Sequence, residues 1–528
     1  MFDILIRGGQ VADGSGAEPR PADVGIRGDR IADLGELSRA EAALTLDARG
    51  KLVCPGFIDA HSHSDAYLLI EPSAPSKISQ GVTTEVVGNC GASAAPRLGG
   101  YGLPSDWREL PYPGPWRTVA EYRRRLEQAR PAPNVALLIG HNALRAGIVG
   151  YENRPATAAE LREMRRWLER SLEEGGCGLS TGLIYAPGMF APREEIETLA
   201  AVVAARGGVY ASHMRSEREG LLDALDETLA VGRATGVKVQ ISHLKTGGRA
   251  VWGRLDEAFA RIERAQAEGV DAAADRYPYT RSGTDLDVIL PAWAAEGGRA
   301  AILDRLRDDA TRRRLLDELE ERRGPEDWAA IVVATTHHPD TRRFRGLALT
   351  EAARQLGCSP AEAALTILTL DELRTSAFFC GMCEENMRRI LARPYVMLGS
   401  DAALRALSGP LSRDYPHPRA FGTFPAFLRL VLDERLVPLG EAVRKMTSLP
   451  AARFGLRDRG LLARGRKADV LVIAPARVRA AADYACPHRL AEGIEEVIVN
   501  GERTWSGGQP TGARAGRFLE TLKAPQCR

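Results

Sequence analysis

The chain has 528 residues, more than one small domain requires. Apolar residues make up 44% and charged residues 27%, which is typical of a globular protein with a large core. The formal net charge of +2 gives no sign of nucleic acid or a membrane surface as partner.

The sequence shows no pattern typical of a secreted, membrane-spanning or disulfide-bonded protein. The opening MFDILIRGGQ has no basic segment before a long apolar one, so we expect no signal peptide. No run of about 20 apolar residues occurs, which excludes an obvious membrane span. The eight cysteines show no paired spacing, so we expect no disulfide framework and a reducing cytoplasm as the location.

Both ends of the chain have the pattern of short strands separated by turns. Asp3–Arg7, Asp23–Ile26 and Arg30–Leu34 predict short strands, the last two flanking a Gly28-Asp29 turn. Near the other end, Ala468–Ile473 and Glu496–Val499 are also strand-like. We therefore expect a small β-sandwich module built from both ends: residues 1–52, then residues 451–528 with a C-terminal tail that is loose after about 515.

Between these ends, apolar strands alternate with helical patterns. One helix is predicted over Thr157–Glu174, where Thr157 and Glu160 have the spacing of a capping box. The strand candidates are 53–58, 83–88, 135–140, 177–181, 209–212, 238–242, 270–274 and, after a mostly helical interval, 395–398. Such α/β alternation favours a parallel sheet, open or closed. We assign 53–450 to this unit, with an insertion over about 281–394.

The strongest chemical feature is a pair of histidines directly after the first of these strands. Residues two apart on a strand point to the same face, so His61 and His63 can converge on one metal ion. By itself this pair is equally well explained as two polar loop residues.

Four further side chains change that balance. Cys90, His213, His243 and Asp401 follow the second, fifth, sixth and eighth predicted strands. In a barrel, the carboxyl ends of the strands form the face that carries active sites. One thiolate, two imidazoles and an open position make a plausible catalytic zinc shell.

Several longer motifs give the chain a family resemblance. They are Gly81-Val82-Thr83-Thr84 up to Gly91, Gly178–Leu183, Tyr185-Ala186-Pro187-Gly188, Tyr277-Pro278-Tyr279, His417-Pro418-Arg419 and Gly422-Thr423-Phe424-Pro425. With the metal-ligand pattern, they resemble the amidohydrolase superfamily and, within it, the N-acyl-D-amino-acid deacylase (D-aminoacylase) family. The resemblance covers nearly the whole chain and implies a (β/α)₈ TIM barrel.

The resemblance also implies a zinc centre. Cys90, His213 and His243 are expected to hold one zinc ion tightly. His61 and His63, with help from Asp401, are expected to hold a second, weaker metal. Asp401 is also the expected general base.

A second set of residues is expected to bind the substrate, a small-molecule N-acyl-D-amino acid. Lys245 and Arg419 are the expected clamp on its α-carboxylate, because fixed cations suit an anion and arginine grips a carboxylate bidentately. Tyr277 is expected to contact the substrate and to polarise the scissile carbonyl. Ser282 is expected to take over the role of the serine that the family commonly has one position later, at 283.

The absence of one lysine argues against a hydantoinase-like amidohydrolase. Hydantoinase-like relatives use a carboxylated lysine after the fourth strand to bridge two metals, but this chain has no lysine between 78 and 237. Cys90 is the natural substitute. Other departures concern side-chain preference: Gly283, Cys383 and Ala402 replace common family residues, and Arg281 adds a cation that either favours an acidic substrate or faces solvent.

Three functions remain open from sequence. The first is hydrolysis of N-acyl-D-amino acids, favoured because Lys245 and Arg419 would serve a free α-carboxylate. The second is an amidohydrolase acting on a cyclic amide or another N-acyl compound. The third is a non-catalytic, amidohydrolase-like binding protein, which usually requires loss of metal ligands. The oligomeric state stays open.

Overall fold

The computed structural model describes residues 1–99 and 112–522. Its strands are β1 (Phe2–Val11), β2 (Arg20–Arg27), β3 (Arg30–Gly35), β4 (Ala42–Asp47), β5 (Leu52–Pro55), β6 (Phe57–Asp59), β7 (Val82–Val87), β8 (Asn134–Gly140), β9 (Gly178–Gly182), β10 (Val209–His213), β11 (Lys238–Ile241), β12 (Ala272–Arg276), β13 (Ser282–Asp285), β14 (Ile331–Val333), β15 (Ser376–Phe379), β16 (Val396–Leu398), β17 (Val470–Ile473), β18 (Ile494–Val499), β19 (Glu502–Ser506) and β20 (Gln509–Pro510).

The α-helices follow the apolar periodicity of the chain. They are α1 (Pro75–Ile78), α2 (Val119–Ala129), α3 (His141–Ile148), α4 (Ala158–Glu173), α5 (Arg193–Ala204), α6 (Leu221–Thr235), α7 (Leu255–Ala267), α8 (Ala292–Ala295), α9 (Gly298–Arg307), α10 (Asp309–Arg322), α11 (Pro325–Ala329), α12 (Leu349–Leu356), α13 (Pro360–Leu370), α14 (Glu384–Ala392), α15 (Arg419–Glu434), α16 (Leu439–Met446) and α17 (Ser448–Arg453). The predicted capping box of Thr157 and Glu160 starts α4. No helix of the described residues combines the length and apolar character needed to cross a membrane.

The central unit is a parallel barrel of eight strands. Its order is β6-β7-β8-β9-β10-β11-β12-β16. The two ends meet where the Ala60 N–H donates to the Leu398 carbonyl at 3.3 Å, and Ser62 and Ala402 form a parallel bridge just beyond. The (β/α)₈ barrel expected from the resemblance is therefore confirmed.

The barrel strands are buried on both faces, which is why their sequences are nearly continuous apolar runs. Every residue of β8 is buried, for example. Inside the barrel, Ile58, Leu138 and Met397 pack in one cluster with Phe454 and Leu456, which follow α17. This packed interior leaves the carboxyl ends of the strands as the place for a site.

Both ends of the chain contribute to one nine-stranded sheet, which confirms the predicted β module. Its order is β20-β19-β18-β17-β5-β1-β2-β3, with β4 beside β1.

The strand predicted over 53–58 is two strands in two different sheets. β5 pairs with β17 of the module, and β6 pairs with β7 of the barrel. Gly56 separates them: a Cβ atom there would lie 2.1 Å from Thr83 Oγ1, so only glycine allows the chain to pass this close to β7. Residues 52–55 therefore lie in the module sheet.

The interval before β16 folds around a hydrophobic core of its own. Leu315, Trp328, Phe344 and Leu365 belong to this core. Helices α8–α13 make the insertion mostly helical, as expected, and β13-β15-β14 add a small antiparallel sheet. Those strands have three or four residues each, too short for a clear alternating pattern.

The expectation of a loose tail after about 515 is wrong for the described part. Phe518 is 6% exposed and packs in the main core. The Leu519 N–H donates to the Val135 carbonyl at 2.8 Å, at the amino end of β8. Phe518 and Leu519 are two adjacent apolar residues in a mostly polar segment, and this pattern is too short to predict packing against the core. Residues 523–528 lie outside the described residues.

Candidate metal centre and active site

Four predicted metal ligands meet at the carboxyl ends of the barrel strands. One ligand atom from each of His61, Cys90, His243 and Asp401 lies within 4.8 Å of all the others. Cys90 Sγ is 3.3 Å from His61 Nε2 and 3.5 Å from His243 Nε2. Side chains from β6, β7, β11 and β16 thus converge on one point.

The remaining two histidines complete the set. His63 Nε2 lies 3.1 Å from Asp401 Oδ1, and the ring centroid of His213 lies 4.4 Å from that of His243. Both ring nitrogens of His213 are buried and have no hydrogen-bond partner among the described residues. The nearest carboxylate oxygen, on Glu217, is 3.9 Å from Nε2.

A buried nitrogen without a partner is costly, and a bound cation removes that cost. One sulfur and several imidazole nitrogens are the donor set that suits zinc. The residues present therefore fit a zinc ion.

Three of these ligands share an unusual backbone conformation. Cys90, His243 and Asp401 have φ angles of 52°, 36° and 50°, in the left-handed region that non-glycine residues rarely adopt. Such strain costs about 1–3 kcal/mol per residue and concentrates at functional sites. Each of these residues lies two or three positions after the end of its strand, β7, β11 or β16.

Nearby charges keep the Cys90 thiol and the Asp401 carboxyl in their anionic, metal-binding forms. They keep His63 protonated, so this imidazole must lose its proton before it can bind a metal. Burial raises the pKa of Cys90, but His61 and His243 outweigh it and hold that pKa well below its usual value. Burial also works against Asp401, whose pKa is nevertheless held well below its usual value by Arg419 and His243. The pKa of His63 is raised to about 9 because its hydrogen bonds to Asp401 and Cys90 overcome burial.

Asp275 is an important site residue that sequence reasoning missed. Its Oδ1 lies 3.0 Å from His61 Nδ1 and accepts the His243 backbone N–H at 2.8 Å. Its Oδ2 accepts from Gln240 at 2.9 Å. The signal was present, because Asp275 directly follows the predicted seventh strand. A carboxylate behind a metal-binding imidazole fixes the ring and raises its basicity.

Glu217 is a second carboxylate that contacts a ligand imidazole, that of His243. Its Oε1 lies 2.7 Å from His243 Nδ1 and also pairs with Lys245. Glu217 lies in the loop after β10, where no strand pattern marks it.

We expect Asp275→Asn to lower the zinc affinity by about 10–100-fold, since loss of an outer carboxylate loosens the ligands it orients. Competition with a chelator measures this. Asp271→Asn is the matched control, because Asp271 lies just before the same strand and its side chain is 58% exposed. Equal zinc affinity in the two variants would contradict the role of Asp275.

The predicted substrate residues lie around this cluster. Arg419 Nη1 is 2.7 Å from Asp401 Oδ2, and its Nη2 donates to the Gly283 carbonyl at 3.0 Å. Its guanidinium lies 4.6 Å from the ring centroid of Tyr277, which is fully buried. Lys245 Nζ lies 2.7 Å from His243 Nδ1.

A cavity of about 1120 Å³ joins these residues to the insertion. Ser282 lies on β13 and lines this cavity, as do Lys245 and Arg419. Arg281 instead stacks over Tyr484, with 4.2 Å between its guanidinium carbon and the ring centroid. The substrate roles of all these residues remain predictions.

Comparison with known proteins covers the whole chain. Residues 44–505 match the model of the amidohydrolase family. The chain is 39% identical to an N-acyl-D-glutamate deacylase of Alcaligenes xylosoxydans xylosoxydans, over 98% of this chain and 96% of that protein. It is also 39% identical to a D-aminoacylase of the same organism, over 99% and 98% of the two chains.

A solved structure agrees. N-acyl-D-glutamate deacylase from Bordetella bronchiseptica, complexed with zinc and a phosphonate mimic of the tetrahedral intermediate, superposes with a TM-score of 0.84 at 36% identity. The superposition covers 98% of this chain and 99% of the other. The chain therefore belongs to the amidohydrolase family, in the group that contains N-acyl-D-glutamate deacylase and D-aminoacylase.

Proposed function

We propose that this protein is a zinc-dependent enzyme that hydrolyses the amide bond of N-acyl-D-amino acids. The observation that carries the proposal is the convergence of Cys90, His213 and His243 with Asp401 in one cavity. Relatives that are similar over the whole length are named for this activity.

The reaction adds water across one C–N bond. A bound zinc ion would lower the pKa of water to about 7 and polarise the scissile carbonyl. Asp401 takes the proton from the attacking water and delivers it to the leaving nitrogen. The products are a carboxylate and a free D-amino acid.

The surroundings of Asp401 suit this role. The low pKa of its carboxyl keeps Asp401 ionised at neutral pH, while the same shift makes it a weaker base. Arg419 binds Oδ2, and His63 lies 3.1 Å from Oδ1, so both carboxylate oxygens are oriented. An oriented base makes proton transfer more efficient.

Two cations support an anionic substrate. Lys245 and Arg419 both line the cavity that contains the metal cluster. Arg419 Nε is buried and has no hydrogen-bond partner among the described residues, so this guanidinium keeps a donor available. Arg419 and Lys245 together form the proposed clamp on the α-carboxylate. The ring of Tyr277 packs against the Arg419 guanidinium.

The competing functions are less well supported. A cyclic amide without a carboxylate would leave this pair of cations without an anionic partner on the substrate. A non-catalytic protein would be expected to have lost metal ligands, yet all six predicted ligands are present and close together. The cytoplasmic location remains a prediction.

Paired N-acetyl-D- and N-acetyl-L-amino acids test the proposal. We expect the zinc-loaded protein to hydrolyse the D forms of glutamate, methionine or both, and to leave the L forms intact. Release of free amine measures the rate, and metal analysis should find at least one zinc per chain. Equal hydrolysis of both enantiomers, or full activity without metal, would contradict the proposal.

A further inference from the structure

A buried lysine ties together the two loops that carry half of the proposed metal ligands. Lys77, in α1, is completely buried. Its Nζ donates to Asp59 Oδ2 at 2.8 Å, to Ser400 Oγ at 2.9 Å and to the Ala402 carbonyl at 2.9 Å. The ammonium group thus joins the end of β6 to the loop after β16.

The partners of Lys77 on the two loops are next to, or two positions from, a proposed ligand. A further partner is Glu85 of β7, whose Oε2 lies 3.4 Å from Nζ. Ser400 and Ala402 flank Asp401, and Ser62, whose Oγ is 3.3 Å from Nζ, lies between the two histidines of the His-x-His pair. Asp59 adds to the link because its Oδ1 accepts the Ser400 N–H at 2.8 Å. This Lys77 cluster, formed by Lys77, Asp59, Ser62, Ser400 and the Ala402 carbonyl, therefore links both loops.

Backbone pairing alone is weak at this position. β6 and β16 have three residues each, and the Ala60–Leu398 hydrogen bond is a long 3.3 Å. Beyond the strands, the Asp401 N–H donates to the His61 carbonyl at 2.8 Å. The Lys77 cluster therefore supplies much of the order at the seam where the barrel closes.

We infer that Lys77 is a positioning residue, which sets Asp401 against His61 and His63 across the barrel seam. This inference rests on the proposed function, in which Asp401 is the base, and on the expectation from the family resemblance that the two histidines hold a second, weaker metal. Cys90 follows β7, His213 ends β10 and His243 follows β11, and none of these is one of the two strands that meet at the seam. Loss of Lys77 should therefore weaken the second metal and the proton transfer, but not the first zinc.

A second buried lysine, Lys445, lies against the amino end of β16 and serves as a control. Lys445 is 1% exposed, and its Nζ donates to the carbonyls of Arg393 and Val396, at and just before the start of β16. Loss of this buried lysine also removes support from β16, but far from the metal cluster. K77M should lose more stability than K445M, because it leaves the buried carboxylates of Asp59 and Glu85 without their cation. A merely structural role would lower the Tm of both variants without a selective loss of the second metal.

The test compares Lys77→Met with Lys445→Met. For K77M we expect kcat to fall about 10²-fold with little change in KM, the size of effect caused by misplacing a reacting group by about 1 Å. Zinc titration of the metal-free protein should show an unchanged first equivalent and a weaker second one. For K445M we expect a lower Tm, with kcat and both zinc equivalents close to wild type.

Equal effects of the two variants on kcat, or an unchanged second zinc equivalent in K77M, would overturn the inference. If K77M does not fold, Ser400→Ala removes one link of the cluster without leaving a carboxylate unpaired, and the same pattern is expected at smaller size. If the wild-type protein hydrolyses no N-acyl-D-amino acid, the proposed function fails, while the zinc titration still tests Lys77.

Discussion

Asp401→Asn is expected to lower kcat by about 10³-fold, within the range that a positioned proton acceptor contributes. Asparagine keeps the size of the side chain and an oxygen for Arg419, but it cannot take a proton from water. Because Cys90, His213 and His243 remain in place, the first zinc should still bind. The loss should therefore appear in kcat, with the tight zinc content unchanged.

Steady-state kinetics and metal analysis on the same preparation measure this. Asp414→Asn is the matched control: Asp414 also lines the cavity and is ion-paired with an arginine, Arg405, but it does not belong to the metal cluster. That variant should keep a kcat close to the wild type. A D401N protein with more than about a tenth of the wild-type kcat would remove Asp401 as the general base.

Cys90→Ser is expected to lower the zinc affinity by more than about 100-fold, since loss of outer partners alone costs up to that much. The thiolate is held in its ionised form by His61 and His243, which keep its pKa well below the usual value against the effect of burial. A serine hydroxyl does not ionise in this range and is a poor zinc ligand. Activity should be lost with the metal.

Metal analysis after dialysis against a chelator, and activity on adding zinc back, check this result. Cys177→Ser is the control, because Cys177 is a buried cysteine at the amino end of β9, away from the metal cluster, where burial raises the pKa of its thiol to about 12. C177S should bind zinc like the wild type. A C90S protein that retains one zinc per chain after dialysis would exclude Cys90 as a ligand of the tight site.

Sequence reasoning predicted the parts of this protein that depend on local pattern. The eight barrel strands have clear apolar runs, and a polar side chain directly after such a run lies at the carboxyl face. That rule found His61, Cys90, His213, His243 and Asp401, which the structure brings together.

The same rule applied to the seventh strand would also have found Asp275, whereas the other features that were missed depend on contacts between distant segments. Whether residues 52–55 pair with β17 or with the barrel is decided by a segment more than half the chain away. Glu217 and Lys77 act through partners that no spacing rule connects to them. The left-handed conformation of Cys90, His243 and Asp401 is imposed by the surrounding fold, against the intrinsic preference of these residues.

The sheet formed by both chain ends has a consequence for folding during synthesis. Val53 pairs with Val472, so one edge of β5 has no partner until almost the whole chain has left the ribosome. An unpaired edge of an apolar strand such as Leu52–Pro55 is an aggregation hazard while it waits. Contacts this distant also form slowly, because a long loop must close first. The barrel strands in between can pair in order as they emerge, which makes docking of the two ends the late step.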